Sequence, residues 1–455
     1  MKYFQLLARP FMVFVERFYP DPFVFAILLT LATFLITLGL TDATPVGAMV
    51  AWGDGLSSLL GFMAQLSIML IAAHALAHTD SVQRALRFLG GLPNSQAGAY
   101  LMVTLIAGLA SLLSWSLGLV AGAILAQQVA IEGRRKGLRL HFPLLVASAY
   151  AGFVIWHMGY SASAPLFVAT PGNALESSIG GLIPVTETIF AGWNIAIAFI
   201  TLTLVALTCS LMRPKDEEIV EAPVEAIESL QEEDAEMDRS SGHGTPLTPA
   251  GYLDNSRLIS IGLGLLLIAY LVYWFKTKGL NLNLNIVNWS FLAFGLMLAR
   301  NPLHYVSLIG NASRTVSPVL LQYPLYAGIM GLMFNSGLVN IMSDWFTSIS
   351  TAQTLPFWAF ISGGLVNFFV PSGGGQWAIQ GPVFIEAAQN LGVNLPLVVM
   401  GVAYGDQWTN MIQPFWTIPL LAIAGLHMRQ IMGYTFVVFL VSFLTFGGGL
   451  LIAAG

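Results

Sequence analysis

Two carboxylates, Glu386 and Asp406, stand alone inside the long apolar runs of this 455-residue chain. Ionisable side chains at membrane depth are rare and mark ion or substrate pathways. Asp406 lies in Tyr404-Gly-Asp-Gln-Trp-Thr-Asn410, a polar cluster where a helix is expected to break. Gln407, Thr409 and Asn410 beside it offer oxygens that could join it in holding a hard cation, and Asn367 is counted with them. His157 occupies a comparable polar interruption earlier in the chain. Asp406, Asn367, Thr409 and His157 are therefore the candidate ion-coupling residues. Each also has a structural reading as a helix cap or a satisfied core group, and Glu386 falls where it can reach an interface.

Every Lys and Arg lies outside the apolar runs, so an anion crossing here meets no basic side chain. Backbone N–H groups at helix N-termini and small polar side chains are the remaining donors. Ser372-Gly-Gly-Gly375, followed by Gln376 and Trp377, is one such place, where glycines admit close backbone approach or a positive φ. Ser114-Trp-Ser116 with Gly118 is the other, and Ser161, Ser163 and Asn410 complete the candidate substrate-binding set. Trp115, Trp156, Trp377, Trp408, Phe415 and Trp416 could wall a short apolar pocket, or simply pack. Three patterns carry no chemistry. His74 and His78 share a helix face without a third metal ligand. Gly159-Tyr-Ser-Ala-Ser163 lacks the last glycine of a nucleophile elbow. No phosphate-binding Gly-x-x-x-x-Gly-Lys pattern occurs, so the chain is not expected to hydrolyse ATP, and the near-absence of paired catalytic groups speaks against an enzyme.

Apolar runs must position these residues. With 56% hydrophobic and 9% charged residues, the chain cannot face water all round. Runs such as 22–40, 191–212, 258–275 and 431–451 are long enough to cross a hydrocarbon core about 30 Å thick. The single cysteine, Cys209, excludes an internal disulfide. Residues 214–238 hold eleven acids against one lysine, the composition of a solvated linker.

The second half restates the first at offsets of 254 to 257: Gln65 pairs with Gln322, Gly108 with Gly364, Ser116 with Ser372, and Tyr150 with Tyr404. The sequence is thus read as an all-α polytopic membrane protein of two inverted repeats. About nine crossings are expected, plus two re-entrant hairpins (97–130 and 355–391) and two broken helices (143–170 and 396–425). Residues 1–22 form an amphipathic cytoplasmic N-terminus, 23–213 the first repeat, 214–257 the acidic cytoplasmic linker, 258–284 a connecting helix and outer loop, and 285–455 the second repeat. With the N-terminus inside, sixteen of the eighteen basic residues fall on the cytoplasmic side, as the positive-inside rule requires.

The chain resembles the bacterial short-chain fatty acid transporter family. Tyr19-Pro-Asp-Pro22, Trp52-Gly-Asp-Gly55, Ala169-Thr-Pro-Gly-Asn173, Gly181-Leu-Ile-Pro184, Val370-Pro-Ser-Gly-Gly-Gly375, Gln380-Gly-Pro382 and Ala403-Tyr-Gly with Gln407-Trp408 carry the resemblance. Asp406 stands where the family has Glu, and Gln376 where it has His. The resemblance implies uptake of small monocarboxylates such as butyrate or acetoacetate across the inner membrane, coupled to a proton or sodium ion. By analogy with the wider ion-transporter group it also implies a homodimer working as an elevator. The small carboxylate and the lipid bilayer are then its partners, with no nucleic acid and no cofactor beyond the coupling ion. A carrier or antiporter for another small ion stays open, and less readily an intramembrane enzyme or a channel.

Overall fold

The computed structural model describes residues 22–222, 248–368, 370–413 and 415–455. Most of the N-terminal segment expected at 1–22 and most of the acidic linker lie outside them. Among the described residues the chain is all helix and turn, without a strand. Seven helices are each long and apolar enough to cross a membrane, or eight if the bent pair at Gly337 counts as one span.

In the first half, α1 (Pro22–Leu40), α2 (Pro45–Gly55) and α3 (Leu60–Ala77) are followed by a short amphipathic helix, α4 (Asp80–Gly90). A helical hairpin comes next, α5 (Gln96–Leu113) and α6 (Trp115–Arg135), turning at the extended residue Ser114. Then α7 (Phe142–Gly152) tightens into a 3-10 segment, Phe153–Met158, and restarts as α8 (Ser163–Ala169). Every residue of Phe142–Ala169 except the half-buried Tyr160 is buried, and the run accordingly lacks the one-sided apolar stripe of a surface helix. A long helix, α9 (Gly192–Leu211), closes this half.

Between the halves runs α10 (Arg257–Lys278), an apolar helix most of whose residues are not buried within the chain. The second half repeats the order. Helices α11 (Leu284–Leu298), α12 (Pro302–Ala312) and α13 (Ser317–Ser336) lead into α14 (Leu338–Ile349) through an 82° bend, where Gly337 takes φ +76°. The hairpin is α15 (Leu355–Asn367) with α16 (Gly373–Leu391). The broken helix is α17 (Leu395–Thr409) with α18 (Thr417–Ala424), and α19 (Met428–Ala454) ends the chain.

The two hairpins grip their broken helices in the same way. A Cβ at Gly152 would lie 2.5 Å from Gly108 N, and one at Gly405 would lie 2.5 Å from Gly364 N. Glycine against glycine lets α5 cross α7, and α15 cross α17, at backbone contact. The halves also interlock: the 3-10 segment and α8 pack on α17, and α18 packs on α6.

Three expectations shift. The second helix break falls at 410–416, so Asp406 lies in the last turn of α17, not in the break. The first interruption, within the broken helix expected at 143–170, begins at Phe153, ahead of the polar stretch Gly159–Ser163. Gly373, Gly374, Gly375, Gln376 and Trp377 form the start of α16, and none of those glycines has a positive φ. The bond from Gln376 N to Ser372 O (2.7 Å) closes that first turn.

Candidate functional site

The 3-10 segment delivers His157 to α17. Its Nδ1 lies 2.8 Å from Asp406 Oδ2, and both side chains are at most 1% exposed. The other ring nitrogen settles the tautomer. Ala164 N–H donates to His157 Nε2 at 3.1 Å, and Ser163 Oγ lies at the same distance. A backbone N–H can only donate, so Nε2 is the acceptor and the proton sits on Nδ1, facing Asp406. His157 N–H in turn donates to Gln407 Oε1 at 2.8 Å. Asp406 Oδ1 is buried and has no hydrogen-bond partner, and neither has Asn367 Oδ1. Buried acceptors without donors are costly, and a proton or a cation would satisfy them.

The rest of the candidate coupling set is a brace. Asn367 Nδ2 donates to Asp406 O at 2.8 Å and Thr409 Oγ1 at 2.9 Å, and the Asn410 side-chain amide lies against it at 2.6 Å. Gln413 Nε2 donates to Asn367 O at 2.8 Å, and Tyr150 O–H to Asn410 O at 2.7 Å. These bonds tie the end of α15 to the end of α17 across the break.

Beside the His157–Asp406 pair lies a cavity of about 50 Å³. One wall is polar: Ser163, Tyr323, Ser372, Gly373 and Gly374. The remainder is apolar: Leu66, Met69, Leu70, Val319, Trp115, Trp156 and Trp416. Tyr323 and Ser372 share a hydrogen bond of 2.7 Å. The first N–H groups of a helix have no acceptor within it, so the start of α16 offers donors along the polar wall. At roughly 10–15 Å³ per water-sized group, the space holds about four such groups.

The α16 glycines serve close packing. A Cβ at Gly373 would lie 2.2 Å from His157 Cε1, one at Gly374 2.6 Å from the Phe62 ring, and one at Gly375 2.6 Å from the Tyr326 ring. Of the candidate substrate residues, Trp115, Ser163, Ser372, Gly373 and Gly374 line the cavity. Ser114, Ser116, Gly118, Ser161, Gly375, Gln376, Trp377 and Asn410 do not. Ser161 Oγ instead accepts Trp115 N–H at 3.2 Å, which fixes the first hairpin's tip. Gly118 abuts Ser111, a helix contact. Gln376 donates to Gly363 O at 2.6 Å and to Gln380 at 2.8 Å, and Trp377 is fully buried.

Sequence reasoning missed Leu66, Met69, Leu70, Val319 and Tyr323. A signal existed: the 257-residue offset that pairs Gln65 with Gln322 also pairs Leu66 with Tyr323.

Comparison with known proteins accounts for the whole chain. The family model described as short chain fatty acid transporter matches residues 4–453. A protein of Escherichia coli strain K12, provisionally named a short-chain fatty acid transporter, is 41% identical over 96% of this chain and 97% of its own. A Haemophilus influenzae protein of the same provisional name is 39% identical over 94% and 95%. The fold is that of the YdaH transporter of Alcanivorax borkumensis, with a TM-score of 0.61 at 15% identity over 96% of this chain and 98% of that one. It also matches MtrF of Neisseria gonorrhoeae, described within a class of antimetabolite efflux pumps, with a TM-score of 0.58 at 13% identity over 98% and 97%. This multi-pass membrane protein belongs to the short-chain fatty acid transporter family.

Proposed function

We propose that the protein is a secondary active carrier that takes up small monocarboxylates, butyrate or acetoacetate in kind, across a bacterial inner membrane. The observation that carries this reading is the cavity. It has one polar wall without a basic side chain, an apolar remainder, and room for about four water-sized groups. A short acid has the same division, a carboxylate at one end and a few methylenes at the other. The carboxylate faces Ser163, Tyr323, Ser372 and the first N–H groups of α16, which favour an anion.

Coupling falls to His157 and Asp406. A carboxylate carried inward against a negative interior costs about 2.3 kcal/mol per charge per 100 mV, so a cation must travel with it. The unpartnered Asp406 Oδ1 can take a proton directly, with His157 holding Oδ2. Sodium is the second reading, favoured by Asn367 Oδ1, another buried oxygen without a donor.

The transport movement is read as an elevator, in a homodimer, with the hairpins re-entrant, the halves inverted and the N-terminus cytoplasmic. The matching glycine crossings support the repeat. Burial of Ser114 and Ser116 at the first tip and of Gly373 at the second supports re-entrance. So does the length of α15: thirteen residues span only about 20 Å.

Flux of labelled butyrate and acetoacetate into proteoliposomes, under an imposed pH or sodium gradient, tests the reading. Accumulation driven by one gradient is expected. Absence of saturable flux for every acid of two to six carbons would sink it.

A further inference from the structure

The cavity is closed and open at different places. Trp115, Val319 and Trp416 in its lining are partly exposed, whereas Leu66, Met69 and Leu70 on α3 are buried. One helical turn before Leu66 on the same face of α3 is Phe62, 8% exposed. Its ring packs edge-on against Phe167 at 4.7 Å and lies 5.9 Å from the Tyr323 ring. It also covers Gly374, whose absent Cβ would lie 2.6 Å from Phe62 Cζ. Tyr323 and Gly374 belong to the cavity wall. On its other side Phe62 lines a separate, more polar space of about 230 Å³, bordered by Ser58, Gln65, Thr170 and Asn173.

We propose that Phe62 is the shutter between this vestibule and the substrate cavity. A solute passing from one to the other has to displace its ring from Phe167, Tyr323 and Gly374. The ring therefore sets both access from the vestibule face and the width of what enters. The glycine at 374 is part of the device, because any side chain there would prop the ring away. The register partner of Phe62 at the 257-residue offset is Val319, a smaller side chain on the partly exposed side. One side of the cavity is thus shut by an aromatic ring, while the other lacks such a ring at the matching position.

This inference rests on the cavity's being the substrate site, but its test reads accessibility and needs no substrate. In full-length protein in liposomes with Cys209→Ser, single cysteines are placed at Ser58 (vestibule) and Met69 (cavity). A membrane-impermeant thiol reagent is applied to the face on which Ser58→Cys reacts. With Phe62 present, Met69→Cys is expected to stay unlabelled from that face. Phe62→Ala should raise its labelling at least about tenfold, equivalent to about 1.4 kcal/mol of lost closure, without changing Ser58→Cys. Phe62→Leu should give an intermediate rise and Phe62→Trp none. Equal labelling of Met69→Cys with and without the ring would overturn the proposal, as would an unreactive Ser58→Cys on both faces. Failure of the carrier reading shows separately, as absence of acid flux through the unaltered protein.

Discussion

The two broken helices have the same architecture and different work. The first break, from Phe153 to the start of α8, turns side chains toward the cavity: Trp156 and Ser163 line it and His157 reaches Asp406. The second break, at 410–416, spends its polar groups on itself. Asn367, Thr409, Asn410 and Gln413 bond one another and the backbone, and only Trp416 faces the cavity. One break opens on the cavity and the other is a brace. The buried His157–Asp406 pair is thus held between the two halves, with the brace beside it.

The sharpest way to break that comparison is Asp406→Asn. The amide keeps the contact with His157 but removes the charge, so gradient-driven accumulation should fall about a hundredfold or more, the loss of a few kcal/mol of coupling energy. Exchange of labelled for unlabelled acid should persist. Normal accumulation in this variant would make the pair structural.

Asn367→Ala tests the brace. Leaving its buried partners unpaired costs about 1–3 kcal/mol, so the melting temperature in detergent should drop. Uptake and exchange should fall together, since the defect is in rigidity rather than coupling. Loss of accumulation alone, at unchanged stability, would place Asn367 in the ion site beside Asp406.

These asymmetries mark how far the sequence was legible. Hairpins, breaks and the extra span between halves follow from apolar length and polar interruption, and each stands within a turn or two of its expected place. The pairing of His157 with Asp406 does not follow, because it joins residues 249 apart and no periodicity encodes it. The late second break has a tertiary cause. Asp406 bonds His157 rather than its own backbone, so it does not compete with the helix and α17 runs on to Thr409. The α16 glycines looked like a loop because glycine marks turns, yet here it admits His157, Phe62 and Tyr326 against a helix. Residues of α3 were passed over because in sequence an apolar residue that lines a cavity looks like any core residue.

A smaller effect is expected from the wall that belongs to neither break. Met69, 1% exposed, closes the apolar side of the cavity. Met69→Ala should move the preference toward longer acids, by about fourfold per added methylene at about 0.8 kcal/mol each. Competition by acids of two to eight carbons measures it, and an unchanged profile would mean that the chain points elsewhere.

The smallest effect lies at the edge of the first half, where the start of the linker is docked. Val220 O accepts Phe142 N–H at 2.8 Å, Val220 N–H donates to His141 Nδ1 at 3.0 Å, and Glu221 lies 3.4 Å from Arg134 and 3.6 Å from Arg139. Loss of 223–247 should therefore be tolerated better than loss of 214–222. Since Val220 N–H can only donate, His141 must keep Nδ1 free of a proton. Burial pushes the imidazole below its usual 6.5, with Glu218 nearby opposing it. The other groups around it are Tyr100, whose hydroxyl accepts His141 N–H at 2.9 Å, and the Tyr434 ring at 5.9 Å. A base held below its unfolded value adds stability that is complete above about pH 6.5 and is lost as acid protonates it. Exchange of the Val220 amide hydrogen, corrected for its intrinsic pH dependence, should accelerate as the pH falls through this range. His141→Asn, which keeps an acceptor that does not titrate, should remove the dependence. Protection that is constant down to about pH 5 in the unaltered protein would show that the ion pairs alone hold the segment.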